Sequence, residues 1–334
     1  MNLARVDQIA RAVLYEGYML YPYRPSSVKN RQRWNFGVIY PQVYSGEQGG
    51  EEPCSMRTEC LIRGNAASML EGKLRFLRLQ TRSTILPVHA QSDSLPDGWQ
   101  EAVEREIALP ACSLERLCQA PVNRAFAFQP RTQIDPEHNH NGDIVGSVER
   151  RQAAIEGSAE AKAVSVGTDL FKISVHVRNS TPLETPALNR DEALLHSLVS
   201  THVVLGVQSG EFVSLLEPPE ELQELAAQCQ NVGAWPVLVG DPGQRDTLLA
   251  SPIILYDYPQ IAPESAGDLF DGTEIDEILS LRIMTLTEDE KREIRQSDDR
   301  ARQILERTES MPAEQFMKLH GAVRGLRPLK EDAP

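Results

Sequence analysis

The stretch LFKISVHVRNS (170–180) limits the possible folds more than any other part of this chain. Ile173, Val175 and Val177 fall on one side of a period-two pattern, and Lys172, Ser174, His176 and Arg178 fall on the other. Successive side chains alternate across a strand but not around a helix, so the pattern predicts a strand with one apolar and one wet face. That burial asymmetry belongs to antiparallel sheets. Upstream, SVERRQAAIEGSAEAKAVSV (147–166) alternates small and polar residues. It reaches 170–180 through GTD, a glycine-containing link of hairpin length.

Other strand-length runs precede this hairpin. GYMLYPYR and RWNFGVIYP are aromatic and β-branched and meet prolines. RTECLIRG and LEGKLRFLRLQTRS follow them. In the last run Leu74 and Phe76 share one face while Leu77 and Leu79 take the other, a phase change expected of a bulge or of a strand buried on both faces. SGEQGGEEP (45–53) and HAQSDSLPDGWQ (89–100) read as loops. At the start of the chain, Val6, Ile9, Ala10 and Val13 form the stripe of a short amphipathic helix.

NSTPLETPALNRDEA marks a change of pattern and a candidate boundary near 180–190. Beyond it DEALLHSLV and PPEELQELAAQCQNVG read as helices, the second with proline and acids at its start and glycine after its end. THVVLGV, FVSLLEP, WPVLVG and SPIILYDYP read as short strands. The tail TEDEKREIRQSDDRARQILERTESM reads as a charged helix with a Thr287–Glu290 capping box. The expected architecture is α+β. A mostly antiparallel β-sheet or sandwich region with an N-terminal helix (1–182) joins a mixed region (183–334) that ends in charged helices.

The net charge of −14 argues against nucleic acid as a general partner, because phosphate binding needs clustered cations. Half of that charge lies between Gln260 and Ser310, where 14 acids meet 7 bases. Among those acids, the 268–277 segment fits helix capping better than a calcium loop, whose glycine and glutamate spacing it fails. No apolar run is long enough to span a membrane, and the first residues lack the marks of a secretion signal. The five cysteines are therefore expected as reduced thiols in a cytoplasmic protein.

Several familiar chemistries have no motif here: no P-loop, no dinucleotide-binding turn, no His-Glu-x-x-His helix and no nucleophile elbow. GDPGQRD (240–246) lacks the lysine and hydroxyl of a phosphate cradle and reads as a turn. Two stretches carry candidate sites. DPEHNHNGD offers Glu137, His138, His140 and Asp143, a donor set chemically suited to nickel or zinc, and otherwise reads as an exposed loop. YPYRPSSVKNRQRWNFG interleaves Tyr21, Tyr23 and Trp34 with Arg24, Lys29, Arg31 and Arg33. Those residue types dominate interface energetics, so a protein contact is expected there, within or between chains.

The blocks VLYEGYMLYPYR, KNRQRWNFGVIYP, FVSLLEPPE, NVGAWPVLVG and SPIILYDYPQIAPESAGDLFDGTEIDEILSLR resemble an uncharacterised bacterial protein family. Its members are encoded in gene clusters for actinobacterial-type nickel–iron hydrogenases. The resemblance covers nearly the whole chain and implies an accessory role in hydrogenase production, with a hydrogenase subunit or maturation factor as partner. It carries over no catalytic residue. The paired Cys-x-x-Cys ligands of a nickel–iron large subunit are absent, so this chain is not expected to be that subunit. The expected function is a non-catalytic accessory or assembly protein. A metal-handling maturation factor using His138 and His140 and an enzyme of unrecognised type are the alternatives.

Overall fold

In the computed structural model, residues 1–10, 34, 36–85, 99–138, 144–183 and 188–260 are described, together with 288, 291, 305, 306, 309 and 310. Among them, ten strands form one antiparallel sheet, and the five α-helices are short. The strands are β1 (Ser55–Ile85), β2 (Trp99–Ser113), β3 (Val122–Phe128), β4 (Arg131–His138), β5 (Ile144–Gln152), β6 (Ile155–Ser165), β7 (Leu170–Asn179), β8 (Val199–Val213), β9 (Trp235–Leu238) and β10 (Thr247–Ser251). The helices are α1 (Leu3–Ile9), α2 (Gln42–Glu47), α3 (Leu114–Gln119), α4 (Arg190–Leu195) and α5 (Gln223–Ala227).

β1 is the trunk of the sheet. Its 31 residues pair with β7 over Ser55–Arg63, β8 over Leu61–Leu77, β2 over Met69–Arg82 and β5 over Thr81–Ile85. Where two partners overlap they must occupy opposite edges. One edge therefore carries β7 and then β2, and the other β8 and then β5. The main strand order is β3-β6-β7-β1-β8-β10-β9. Strands from both sides of the expected boundary near 182 thus join one sheet.

The sequence divides β1 into two runs because Gly64–Ser68 has no strand pattern. In the structure these residues make an excursion on a continuous strand. The Ser68 hydroxyl accepts from Asn65 N at 2.9 Å and donates to Ser209 O at 2.5 Å, which satisfies the interrupted ladder. The expected phase change is also present. Pairing with β8 shifts between Arg75 and Leu77, and β1 is buried on both faces.

Leu74 and Phe76 enter the larger core cluster with Ile173, Val175 and Val177 of β7 and Val203 and Leu205 of β8. Small residues Ala159, Ala161 and Ala163 of β6 complete that inner side, where Leu114 and Leu117 of α3 pack. Leu77 and Leu79 enter a second cluster with Val6, Ile9 and Ala10 at α1, Tyr44 of α2 and Leu194 of α4. Val6, Ile9 and Ala10 of the predicted stripe dock, and Val13 lies outside the described residues. Burying each such aliphatic side chain contributes roughly 1.5–3 kcal/mol, more than a seven-residue helix gains from its own hydrogen bonds.

Four local expectations differ from the structure. FVSLLEP is no separate strand, since only Phe212 and Val213 are extended and they end β8. Residues 45–47 of the expected 45–53 loop lie in α2 (Gln42–Glu47). The described residues of RWNFGVIYP form no strand and contribute an isolated bridge, Ile39 to Leu198. SPIILYDYP is not a strand, because the ladder that pairs with β9 is TLLAS and ends at Ser251, before Pro252. GDPGQRD is the turn expected, closed by Gln244 N donating to Asp241 O at 2.9 Å.

Candidate functional site

A cleft of about 340 Å³ opens where five separate parts of the chain meet. Gly37–Tyr40 forms one wall, held by Ile39 N to Leu198 O at 2.8 Å and by Tyr40 N to Pro53 O at 2.8 Å. Glu52, Pro53, Ser55 and Met56 lead into β1. Arg190 comes from the start of α4, and Gly233, Trp235 and Pro252 close the far side. Gly37 has φ +56°, and a Cβ there would lie 2.6 Å from Pro252 Cβ and 2.9 Å from Thr201 N. Any side chain at this position would be strained and would push the wall apart.

α4 is set by a capping box. The Asn189 side chain accepts from Glu192 N, and the Glu192 carboxylate accepts from Asn189 N. This places Arg190 to donate to Trp34 O at 3.1 Å and to engage Tyr40. Tyr40 stacks on Tyr44 with centroids 5.1 Å apart. Burial pushes the Tyr40 phenol up to about 12; the Arg190 charge opposes the rise, and Glu52 adds to it. The Tyr44 phenol is raised as well, by burial and then by Glu52. Among the described residues, the Glu52 carboxylate has no ion pair or hydrogen bond.

Large apolar side chains flank these walls. Phe36 precedes Gly37, Val232 precedes Gly233, Ile254 lies two residues past Pro252, and Trp235 itself lines the cleft. Their exposures are 46, 59, 73 and 41%. The lining is mixed, with Glu52 and Arg190 among Val38, Ile39, Met56 and Pro252, and exposed apolar residues lie next to it in the chain.

Two other polar constellations are bonded internally, although Arg78 Nε is buried without a hydrogen-bond partner among the described residues. On the outer face of β1, Arg75 bonds Asp7 and Glu106, and Lys73 bonds Glu106 at 2.6 Å. His202 faces this group across β8. On the inner face, Arg78 donates to Gln129 O at 2.7 Å and to Ala153 O. Its guanidinium lies 5.4 Å from the Phe128 ring centroid, and that of Arg105 lies 5.6 Å away. Burial pushes the Cys60 thiol up and the Cys229 thiol up to about 11, so neither is a thiolate nucleophile at neutral pH. His196 and His202 each engage a backbone carbonyl, of Ala154 and Ser200.

Of the sequence-predicted contact residues, Tyr21, Tyr23, Arg24, Lys29, Arg31 and Arg33 lie outside the described residues. Trp34 is 2% exposed, in the outer core cluster, and reaches the cleft through its carbonyl. Glu137 and His138 end β4, and His140 and Asp143 lie outside the described residues, as does the acidic 268–277 segment. Among the described residues no three His, Cys, Asp or Glu side chains could hold a metal ion. No described helix is long and apolar enough to cross a membrane. Sequence reasoning missed Tyr40, Glu52, Arg190 and Trp235, whose only sequence signal is that Tyr40 closes the aromatic block RWNFGVIYP. No protein-family model, curated protein or solved structure matches the chain.

Proposed function

We propose that this protein is a non-catalytic, cytoplasmic accessory or assembly protein for nickel–iron hydrogenase production, and that the Tyr40–Glu52–Trp235 cleft is where a protein partner docks. The observation that supports this reading is the exposure of Trp235 in the cleft and of Phe36, Val232 and Ile254, each within two residues of a lining residue. Apolar groups gathered around a concave site favour recognition, and an aromatic anchor at its centre concentrates the energy. The basic, aromatic 21–37 stretch precedes the cleft residues Val38–Tyr40 in the chain and is proposed as a further contact stretch. The acid-rich C-terminal region, read as charged helices, supplies a second. Tyr40, with its pKa near 12, stays a phenol at neutral pH and is unsuited to general-base work.

The test is recovery of tagged full-length protein from its native host after cross-linking, with mass spectrometry and metal analysis of the same eluate. Hydrogenase structural or maturation subunits are expected in stoichiometric amount. Phe36→Ala and Trp235→Ala should each reduce that recovery about tenfold or more, as truncation of an interface anchor does. Ile134→Ala, at an exposed position on β4, should leave it intact. Absence of those subunits, or equal recovery with all variants, overturns the reading.

A further inference from the structure

We infer that Arg78, Arg105 and Arg131, gathered around Phe128, bind a phosphate group, supplied as free phosphate or as a phosphate monoester. None of the three arginines lines the cleft, so the site stands apart from the docking reading.

Strand register puts the three on the inner side of the sheet. Arg105 of β2 pairs with Phe76 of β1, an inner-core residue, and Arg78 is the next residue of β1 on that face. Arg131 of β4 pairs with Gln152, whose amide donates to Gln80, the next residue of β1 on the face of Arg78. The Arg78 and Arg105 guanidiniums lie 5.4 and 5.6 Å from the centroid of the Phe128 ring. That ring offsets part of the repulsion between two cations without neutralising either.

The acids of these strands are directed or bonded elsewhere. Glu104 and Glu106 alternate to the outer side, where Lys73 and Arg75 hold Glu106. Glu101 pairs with Arg82 and Arg150, and Asp135 pairs with Arg150. Among the described residues, the three arginines bond only neutral acceptors: the carbonyls of Gln129, Ala153 and Glu104 and the amide oxygen of Gln133. Both Arg78 bonds leave from Nη2, and its buried Nε has no acceptor among the described residues. Burial, and after it the charge of Arg105, lowers the pKa of Arg78. Burial, and after it the charge of Arg131, lowers that of Arg105. In a chain of net charge −14, these like charges press on one another without a counter-charge. An anion removes that repulsion.

Phosphate suits the site better than a carboxylate does. It carries about two charges at neutral pH, and its oxygens match the planar donor forks of arginine. Arg131 is exposed and Arg105 half-buried, so the anion enters from solvent, with Arg78 as a fixed charge behind them.

Isothermal titration calorimetry of the full chain, at constant ionic strength and neutral pH, tests this with inorganic phosphate and phenyl phosphate as probes. Saturable binding is expected. Tighter binding of phenyl phosphate assigns the site to an organic monoester, and equal or weaker binding assigns it to the free anion. Acetate should bind at least about tenfold more weakly than phosphate. Arg105→Gln and Arg131→Gln should each weaken phosphate binding about tenfold, with unchanged thermal melts showing that they fold. Because Arg131 is exposed, its variant decides the matter if Arg105→Gln melts lower. Arg151→Gln, at an arginine paired with Glu149, should bind phosphate as the parent does. Absence of saturable heat, acetate binding as tight as phosphate binding, or full phosphate binding by Arg131→Gln overturns the assignment.

Discussion

The two faces of β1 bury an arginine in opposite ways. On the outer face, Arg75 is 7% exposed and meets two carboxylates, Asp7 of α1 and Glu106 of β2. Burial alone would lower its pKa, but the hydrogen bonds to Asp7 and Glu106 outweigh burial and raise it. On the inner face, Arg78 is 3% exposed and meets no acid among the described residues. Burial, with the nearby Arg105 charge, lowers it to about 10. Its partners are carbonyls at Gln129 and Ala153, where β3 hands over to β4 and β5 to β6. There the guanidinium stands in for the missing ladder hydrogen bonds and lies against Phe128. Charge is tolerated outside because it is neutralised. It is tolerated inside because a break in the backbone ladder needs donors.

This contrast predicts unequal costs. Arg78→Met should destabilise the fold by about 3–5 kcal/mol in urea unfolding, since two buried carbonyls lose their donor and the packing on Phe128 is lost. Arg78→Lys should recover less than half, because an ammonium cannot span both carbonyls in one plane. A near-neutral Arg78→Met would break the comparison outright.

The next largest effect belongs to His202, which faces Arg75 from β8 and is fully buried. Burial depresses its pKa from 6.5 to about 4, against a raising hydrogen bond to the Ser200 carbonyl. The unfolded chain therefore takes up a proton near pH 6.5 that the folded chain refuses until about pH 4. Stability should fall by about 2 kcal/mol between pH 7.5 and 5 from this residue, as the denaturation midpoint would report. His176 and His196 are depressed with the same sign, so His202→Gln should flatten the pH slope without abolishing it.

Arg75→Met should cost only about 1–2 kcal/mol, because Asp7 and Glu106 keep 41% and 35% exposure and can regain water. Asp7→Asn should cost less than about 1 kcal/mol and lose its effect in 1 M salt, where screening removes exposed ion pairs. An Arg75→Met penalty above that of Arg78→Met would invert the comparison.

The two-sided burial of β1 is legible in the residues themselves, because Leu74 and Phe76 fall out of phase with Leu77 and Leu79. So is β7, whose Ile173, Val175 and Val177 are buried as the alternation requires. The wet face of β7 is only partly so, since Ser174 is buried and Lys172 pairs with Glu59 at 3.5 Å. A period-two pattern reports which side chains are apolar, not what an adjoining loop later covers. The cleft is not legible. Tyr40, Glu52, Arg190 and Trp235 are brought together by strand pairing over nearly two hundred positions, and no spacing rule joins them. The unity of β1 is hidden for a simpler reason: Gly64–Ser68 is locally a turn sequence, and β8 holds the strand on either side of it, at Gly64 and Met69.

The trunk strand also sets a timetable for synthesis. When β1 leaves the ribosome, the residues that will cover its second edge, in β8, are more than a hundred positions from being made. At roughly 5–20 residues per second, that edge waits about 5–20 seconds with its amides and carbonyls unpaired. No local hairpin can protect it, because β2 and β7 take the opposite edge. The nascent chain therefore passes through a period in which its longest strand is open to pairing with neighbouring polypeptides, and slower translation would lengthen that exposure.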